Sequence, residues 1–239
     1  MTKVTPYKNL ETKKKQVTKM FDNIAGSYDF LNHALSLGMD NVWRKIAIKE
    51  LSNKPATILD IATGTADFAI SASKYTNANI IGIDISQAML DVGAKKITKK
   101  GLTNRIQLQL ADSEKLPFQD NNYDAITAGF GVRNFEDLNK GLSEMYRTLK
   151  SGGKVVILEP SEPTNFPLKQ FYNLYFYHIL PFIGGIISKD KNAYTYLPDS
   201  VSAFPSGKDF LTELDKVGFK ESKHIPLSFG IVSLYIAIK

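Results

Sequence analysis

The stretch Thr57–Asp67, which reads Thr-Ile-Leu-Asp-Ile-Ala-Thr-Gly-Thr-Ala-Asp, decides the fold of this 239-residue chain. Its first half is a short apolar run from Ile58 to Ile61, of the kind that a buried parallel strand needs. Gly64 then allows a tight turn, and a helical pattern begins at Ala66. A turn of small residues between a parallel strand and a helix brings backbone N–H groups close to a ligand.

A second apolar run, residues 80–83, ends in Asp84. An acid at the tip of the second strand can accept hydrogen bonds from both hydroxyls of a ribose. The two stretches together therefore predict a nucleoside pocket. A nicotinamide site normally carries Gly-x-Gly-x-x-Gly in the first turn. Because this turn has only Gly64, the sequence disfavours a dehydrogenase.

Strands alternate with helices along residues 57–159, which predicts a parallel sheet with right-handed crossovers. We expect an α/β, Rossmann-like sheet of five parallel strands plus a C-terminal antiparallel hairpin, with helices on both faces. Residues 1–239 are expected to form one domain, with an N-terminal helical segment, 1–55, that faces substrate or membrane, and an aromatic cap insertion, 161–205. The predicted helices are 12–26, 41–52, 66–74, 87–100, 137–150 and 208–217, and the predicted strands are 58–61, 79–84, 106–112, 123–129, 154–159, 220–226 and 230–238.

Composition excludes several classes of protein. The chain has no cysteine, which excludes disulfides, thiolate metal sites and cysteine nucleophiles and suits a cytoplasmic protein. We expect neither a signal peptide nor a spanning helix, because no apolar run reaches about 20 residues. The net charge is +6 and the pI about 9.2. This charge fits solvated helix faces, an anionic membrane surface or nucleic acid, and does not decide among them.

Acidic residues collect where a parallel sheet binds its ligand. Asp60, Asp67, Asp84 and Asp112 fall at or just beyond the carboxyl ends of the first three predicted strands, and ligands of open α/β sheets bind at that edge. Carboxylates there offset the positive charges of a sulfonium and an α-amino group. The pattern Asp-x-x-x-Gly-x-x-Asp followed by Gly-x-Asp resembles the S-adenosylmethionine motif of class I methyltransferases.

Further motifs narrow this resemblance, and they occur in four stretches: Tyr28-Asp29-x-x-Asn32 with Ser36, Gly38 and Trp43; Phe130-Gly131-Val132-Arg133-Asn134; Arg147 to Gly153 with Glu159 and Ser161; and Tyr194-x-Tyr196-Leu197-Pro198-x-Ser200. From about residue 20 to 239 the chain resembles the demethylmenaquinone/ubiquinone-precursor C-methyltransferase family. The resemblance implies methyl transfer from S-adenosylmethionine to a ring carbon of demethylmenaquinol, giving menaquinol. The 2-polyprenyl-6-methoxy-1,4-benzoquinol precursor of ubiquinone is the alternative substrate, or the enzyme accepts both.

The resemblance also implies the residues that hold the cofactor: Thr65 and Gly64 at the methionine end, Asp84 at the ribose, Asp112 and Ser113 beside the adenine, and Gly129 beneath the cofactor. Asp60 is a further candidate for binding the cofactor. Three of these have structural alternatives. Asp84 can cap a strand end, Thr65 can cap a helix, and Asp112 can be a loop acid. No metal is required by this chemistry.

The chemistry of ring methylation needs a base for the quinol hydroxyl and a donor for the resulting phenolate. Asp67 is the candidate base, directly or through one water. Arg133 is expected to stabilise the phenolate, Asn134 to position the ring oxygen, and Tyr28 to pack over or hydrogen-bond the ring. Alternatively, Asp67 caps its helix and Arg133 pairs with an acid at 136 or 137. A non-catalytic nucleotide-sensing module is disfavoured because the candidate base and both donors are present.

The cap suits an apolar substrate. Its aromatic and aliphatic residues, with proline and glycine breaks at 181–185, predict a lid over a prenyl tail that also touches the membrane; a core-packing helix is the alternative. The basic N-terminal helix would hold the enzyme near anionic lipid, at the inner face of the cell membrane. His178 is expected to pack rather than to catalyse. No nucleic-acid partner is expected, and a homodimer is left open.

Overall fold

The computed structural model describes residues 4–7, 9–51, 54–176 and 191–239. The predicted apolar run of the cap between residues 177 and 190, with His178, lies outside these ranges. The helices are α1 Lys13–Leu35, α2 Met39–Lys49, α3 Asp67–Tyr75, α4 Gln87–Lys99, α5 Leu138–Thr148, α6 Leu168–Leu174, α7 Lys191–Ala203 and α8 Lys208–Val217. The strands are β1 Thr57–Ile61, β2 Asn79–Asp84, β3 Ile106–Leu110, β4 Tyr123–Gly129, β5 Leu149–Pro160, β6 Lys220–Leu227 and β7 Val232–Ile238.

The seven strands form one sheet in the order β3-β2-β1-β4-β5-β7-β6. The first five strands pair in parallel, and β7 pairs antiparallel with both β5 and β6. The predicted fold class is therefore confirmed. From β1 the chain adds β2 and β3 on one side of the sheet and then adds β4 and β5 on the other side of β1. The strand order therefore reverses between β1 and β4. A crevice for ligand opens at such a switch point.

Apolar side chains cover both faces of the central strands. Ile58 and Leu59 are adjacent in β1 and fully buried, and they belong to different core clusters on opposite faces. This explains why β1 is a continuous apolar run rather than an alternating one. A third cluster joins α1 to α4 and α7, where Val17 packs with Met89 and Tyr196. Through that cluster α1 lies across the carboxyl edge of the sheet.

Several element boundaries differ from those predicted, among them those of α1, α5 and β5. Helix α1 continues past Gly26 to Leu35, because its apolar stripe extends to Leu31, which is 1% exposed. Helix α5 ends at Thr148 rather than residue 150, and β5 begins at once because Leu149 pairs with Tyr123 of β4. Within the described ranges, no helix has both the length and the apolar character needed to cross a bilayer.

Candidate active site

The loop between β1 and α3 has an unusual backbone. Ala62 and Ala66 have φ of 51° and 66°, and Gly64 has φ of 55°. Left-handed conformations cost a residue with a side chain about 1–3 kcal/mol each, and they persist where the surrounding structure imposes them. The N–H of Gly64 donates to Oδ2 of Asp84 at 2.8 Å. The strained loop is thus tied to the tip of β2.

A cleft of about 630 Å³, which includes open space at its mouth, lies over this loop and is lined by Gly64, Asp84, Ser113 and Gly129 among others. Asp84 also accepts from the N–H of Ser86 at 2.9 Å. The N–H of Ile85 also contributes a backbone hydrogen bond. Because a carboxylate has about four acceptor positions, Asp84 keeps one for a ribose hydroxyl. Burial raises the pKa of Asp84.

Helix α1 covers the far end of this cleft with a lysine. Nζ of Lys14 lies 2.7 Å from Oδ2 of Asp112 and 3.0 Å from Oε2 of Glu114. Burial alone would lower the pKa of Lys14, but the hydrogen bonds to the two carboxylates raise it above its ordinary value. Asp112, the acid expected beside an adenine, is therefore paired with a lysine of α1, the helix that covers this end of the cleft.

Thr65 and Asp60 support the loop from behind and are not among the residues lining the cleft. Oγ1 of Thr65 donates to Oδ1 of Asp29 at 2.5 Å, and the N-cap of α3 is Ala66 rather than Thr65. The carboxylate of Asp60 is fully buried and accepts from two threonine hydroxyls at 2.6 Å each. Burial raises the pKa of Asp60 to about 6. The predicted cofactor contacts of both residues stay predictions.

A second, larger cavity adjoins the cleft. It has a volume of about 1830 Å³, open space included, and it is lined by α1, α2, α6 and α7. Much of its lining is apolar or aromatic, for example Met20, Ile24, Trp43, Phe171, Tyr175 and Phe176. Phe21, Tyr28, Phe130 and Asn134 border both spaces. The cleft over the β1–α3 loop and the apolar cavity therefore meet at these four residues.

Arg133 lies in a short 3-10 turn after β4 and borders the apolar cavity. Its Nη1 donates to Oε2 of Glu159 at 2.9 Å and to the carbonyl of Phe130, and its Nε donates to Oγ of Ser200 at 3.3 Å. Burial raises the pKa of Glu159, while Arg133 acts in the opposite direction. The ion-pair partner of Arg133 is thus Glu159, and the alternative of a partner at 136 or 137 is wrong.

Asn134 and Tyr28 stand at the junction of the two spaces. Oδ1 of Asn134 accepts from the hydroxyl of Tyr196 at 3.1 Å, whereas its Nδ2 is buried without a partner in the part of the chain that the structure describes. A buried donor without a partner is unfavourable unless a ligand satisfies it. Burial raises the pKa of Tyr28 above its ordinary value, and a hydrogen bond with Asn32 offsets only part of that rise. The Tyr28 phenol therefore stays protonated at neutral pH.

Asp67 lines neither the cleft nor the cavity, and its role as the base stays a prediction. Its carboxylate lies 2.5 Å from Nζ of Lys96, 3.8 Å from Nη2 of Arg44 and 3.9 Å from Nε2 of His33. The carboxylate that does border the apolar cavity is Asp40, at the start of α2. Asp40 is not among the predicted site residues, although its i,i+4 spacing to Arg44 was a usable signal.

Asp40 is held as a carboxylate. Arg44 Nη1 lies 2.5 Å from its Oδ2, His33 Nδ1 lies 2.6 Å from the same oxygen, and Ser36 donates to Oδ1 at 2.9 Å. Burial alone would raise the pKa of Asp40, but Arg44 and the hydrogen bond from Ser36 bring it below its ordinary value. Across the described ranges no group of three or more histidine, aspartate or glutamate side chains has the geometry of a metal site.

Comparison with known proteins gives one consistent result. A demethylmenaquinone methyltransferase from Bacteroides fragilis is 49% identical over 99% of this chain and 98% of its own length. A ubiquinone/menaquinone biosynthesis C-methyltransferase from Geotalea daltonii is 46% identical over 96% of this chain and 99% of its own length. The crystal structure of an S-adenosylmethionine-dependent methyltransferase from Thermotoga maritima superposes with a TM-score of 0.68 at 19% identity, covering 93% of this chain and 99% of that one.

The expected family, fold class and S-adenosylmethionine-dependent enzyme class are thereby confirmed. The model of one methyltransferase family matches residues 9–239, nearly the whole chain. This chain belongs to the ubiE/COQ5 methyltransferase family.

Proposed function

We propose that this protein transfers a methyl group from S-adenosylmethionine to a ring carbon of demethylmenaquinol, giving menaquinol. The observation that carries the proposal is the junction, at Tyr28 and Asn134, of the cleft that contains Asp84 with a large apolar cavity. A prenylated quinol needs such an apolar cavity beside the methyl donor. The name of the Bacteroides fragilis relative supports the naphthoquinol ring, and that of the Geotalea daltonii relative supports a ubiquinone precursor as second candidate.

The residues of the cleft fit S-adenosylmethionine, which supplies an electrophilic methyl group on a sulfonium when bound. Asp84 keeps a free acceptor position for a ribose hydroxyl, and Asp112 and Ser113 line the cleft for the adenine. The N–H of Gly64 is already used by Asp84, so Gly64 contributes the close approach of its backbone. Gly129 lines the floor at the end of β4.

The ring carbon becomes nucleophilic when the adjacent hydroxyl loses its proton. Arg133 and Asn134 border the cavity with donors that stabilise the resulting phenolate oxygen, and Tyr28 bounds the ring where cleft and cavity meet. The new C–CH₃ bond forms as the CH₃–S bond breaks, leaving S-adenosylhomocysteine. The ring C–H proton then leaves to restore aromaticity, and the quinol oxygen regains a proton, so one proton is released overall.

The general base is a carboxylate that reaches the hydroxyl directly or through one water. Two observations support Asp67 as this base. It follows directly after the β1–α3 loop, and Arg44, which lines the cavity, contacts both Asp67 and Asp40. General-base catalysis contributes about 10²–10⁴-fold, so Asp67→Asn is expected to lower kcat by that range with cofactor binding unchanged. Asp40→Asn is the matched variant, because Asp40 borders the cavity itself. If only the Asp40 variant loses turnover, Asp67 is not the base.

We also propose that the cavity mouth rests on an anionic membrane. Leu37 lines the cavity and is 90% exposed, and Phe229 follows the lining residue Ser228 and is 80% exposed. Phe171 lines the same cavity and is 65% exposed. Exposed apolar residues around a cavity for a prenyl chain suit insertion into the interface. Lys15 supplies exposed positive charge on α1.

Flotation with vesicles tests this membrane proposal. Wild-type protein is expected to float with anionic vesicles at low salt, and a Leu37→Ser/Phe229→Ser double variant is expected to float less. Equal flotation of both proteins, or none at low salt, argues against this contact surface. A homodimer and the absence of a nucleic-acid partner stay predictions, which sedimentation and binding to duplex DNA would test.

A methylation assay tests the proposed function itself. Purified protein receives methyl-labelled S-adenosylmethionine with demethylmenaquinol or, separately, with the demethyl benzoquinol, under reducing conditions. We expect label in menaquinol. Label in the benzoquinol product alone would favour the second candidate, and label in neither, with S-adenosylmethionine still bound, would refute both substrates.

A further inference from the structure

The cap helix α7 reaches into the junction of cleft and cavity with a buried phenol. Tyr196 is 4% exposed and Asn134 is 7% exposed. The Tyr196 hydroxyl lies 3.1 Å from Oδ1 of Asn134, and the two residues are 62 positions apart in sequence. The contact therefore joins the cap to the turn after β4, which also carries Arg133.

This contact fixes the orientation of an amide. Burial raises the pKa of Tyr196 to about 12, so its hydroxyl keeps its proton and needs an acceptor. Asn134 Oδ1 is the acceptor, and the phenol has no second hydrogen-bond partner in the described part of the chain. A reversed Asn134 amide would leave the buried phenol proton without an acceptor, which costs about 1–3 kcal/mol. The hydroxyl therefore holds Oδ1 towards α7 and Nδ2 away from it.

The same helix holds the neighbouring donor. Ser200 gives its own proton to the carbonyl of Leu197 at 2.8 Å, so its oxygen is free to accept from Nε of Arg133 at 3.3 Å. Tyr196 and Ser200 are one turn apart on α7. One helix of the cap thus contacts both residues proposed to bind the phenolate oxygen.

We propose that Tyr196 is a positioning residue that holds the Asn134 amide with Nδ2 facing the quinol oxygen, so that the cap helix sets the geometry of phenolate stabilisation. The inference rests on the proposed methylation of a quinol. It explains why Nδ2 of Asn134 is buried without a protein partner at the boundary of cleft and cavity. Without the Tyr196 hydroxyl, the Asn134 amide can rotate and turn Oδ1 towards the phenolate oxygen of the substrate. Two oxygens that carry negative charge then face each other and repel.

A double-mutant cycle tests this coupling. Loss of one phenolate donor lowers kcat about 10²–10³-fold, so we expect the kcat of Asn134→Ala to be lower than that of wild type by this factor. Tyr196→Phe keeps the ring and its packing, and we expect its kcat to fall about 10–100-fold with the KM for quinol changed little and S-adenosylmethionine affinity unchanged. The double variant should equal Asn134→Ala alone, because Tyr196 acts only through Asn134. Tyr146→Phe is the matched control, because Tyr146 lies in α5 and lines neither the cleft nor the cavity.

The outcomes separate the proposals. Wild-type kcat in Tyr196→Phe, or a double variant whose loss is the product of the two single losses, would overturn the positioning role. An inactive wild type would refute the proposed reaction instead. The side-chain amide signal of Asn134 in ¹⁵N-labelled protein then decides the positioning role without substrate: the Tyr196→Phe variant should shift or broaden it, and an unchanged signal would overturn the inference.

Asn134→Asp gives an independent readout, because the new carboxyl can donate only when protonated. We expect the ratio of its kcat to that of wild type to rise as the pH falls. A ratio that does not change with pH would contradict a donor role for this side chain.

Discussion

The ion pair of Arg133 and Glu159 offers a prediction for both stability and catalysis. Glu159 is fully buried, its Oε2 lies 2.9 Å from Nη1 of Arg133, and its Oε1 accepts from the N–H of Val132 at 2.6 Å. Glu159→Gln preserves the volume but removes the countercharge of the guanidinium. Removing one partner of a buried pair costs about 3–5 kcal/mol. Because Arg133 borders the cavity, we expect the lower value, about 3 kcal/mol.

That loss is measurable by urea unfolding without cofactor. The midpoint should fall while the m-value stays unchanged, and in a chain of this size a loss of about 3 kcal/mol lowers Tm by roughly 6–12 °C. The variant should also lose kcat, because Arg133 is no longer held in place. Arg133→Leu/Glu159→Leu replaces both charges, so it should be close to wild type in stability and inactive. A loss below about 1 kcal/mol in Glu159→Gln with full turnover would refute this reasoning.

Three further predictions concern the cofactor loop and its cover. The folded pKa of Asp60, about 6, is above its unfolded value of 3.8, so wild type loses up to about 3 kcal/mol of stability as the pH rises from 4 to 7. Asp60→Asn should abolish that part of the pH dependence in thermal unfolding. Gly131→Ala would place Cβ 2.4 Å from Cβ of Ala62, and it should cost about 1–3 kcal/mol and weaken S-adenosylmethionine binding in calorimetry. The ion pair with Lys14 occupies Asp112, the acid proposed to contact the adenine. Lys14→Met removes this pair and should tighten S-adenosylmethionine binding about 2–5-fold, and weaker binding would contradict competition between Lys14 and the adenine for Asp112.

The cofactor cleft was largely predictable because its signals are local. The apolar run of β1, the turn at Gly64 and the acid at the tip of β2 each follow from residues close in sequence, and the parallel sheet then brings them together. The positive φ of Ala62 and Ala66 was not predictable, since alanine gives no sign of a left-handed conformation. Packing of the surrounding strands and helices imposes it.

The polar partners of the apolar cavity were less predictable because they join distant parts of the chain. Arg133 pairs with Glu159 at the end of β5 rather than with an acid nearby, and Tyr196 reaches Asn134 from the cap. Asp40 was missed because its role depends on how α2 packs beside α1. The local pattern predicts which residue types are present, whereas tertiary packing decides which of them meet.

The most direct test of the account is transfer of label from methyl-labelled S-adenosylmethionine to demethylmenaquinol by the wild-type protein, with Asn134→Ala as the matched variant. We expect wild-type protein to form labelled menaquinol. We expect Asn134→Ala to form about 10²–10³-fold less of it while binding the cofactor equally well. No label in menaquinol from wild-type protein that binds the cofactor would contradict the account.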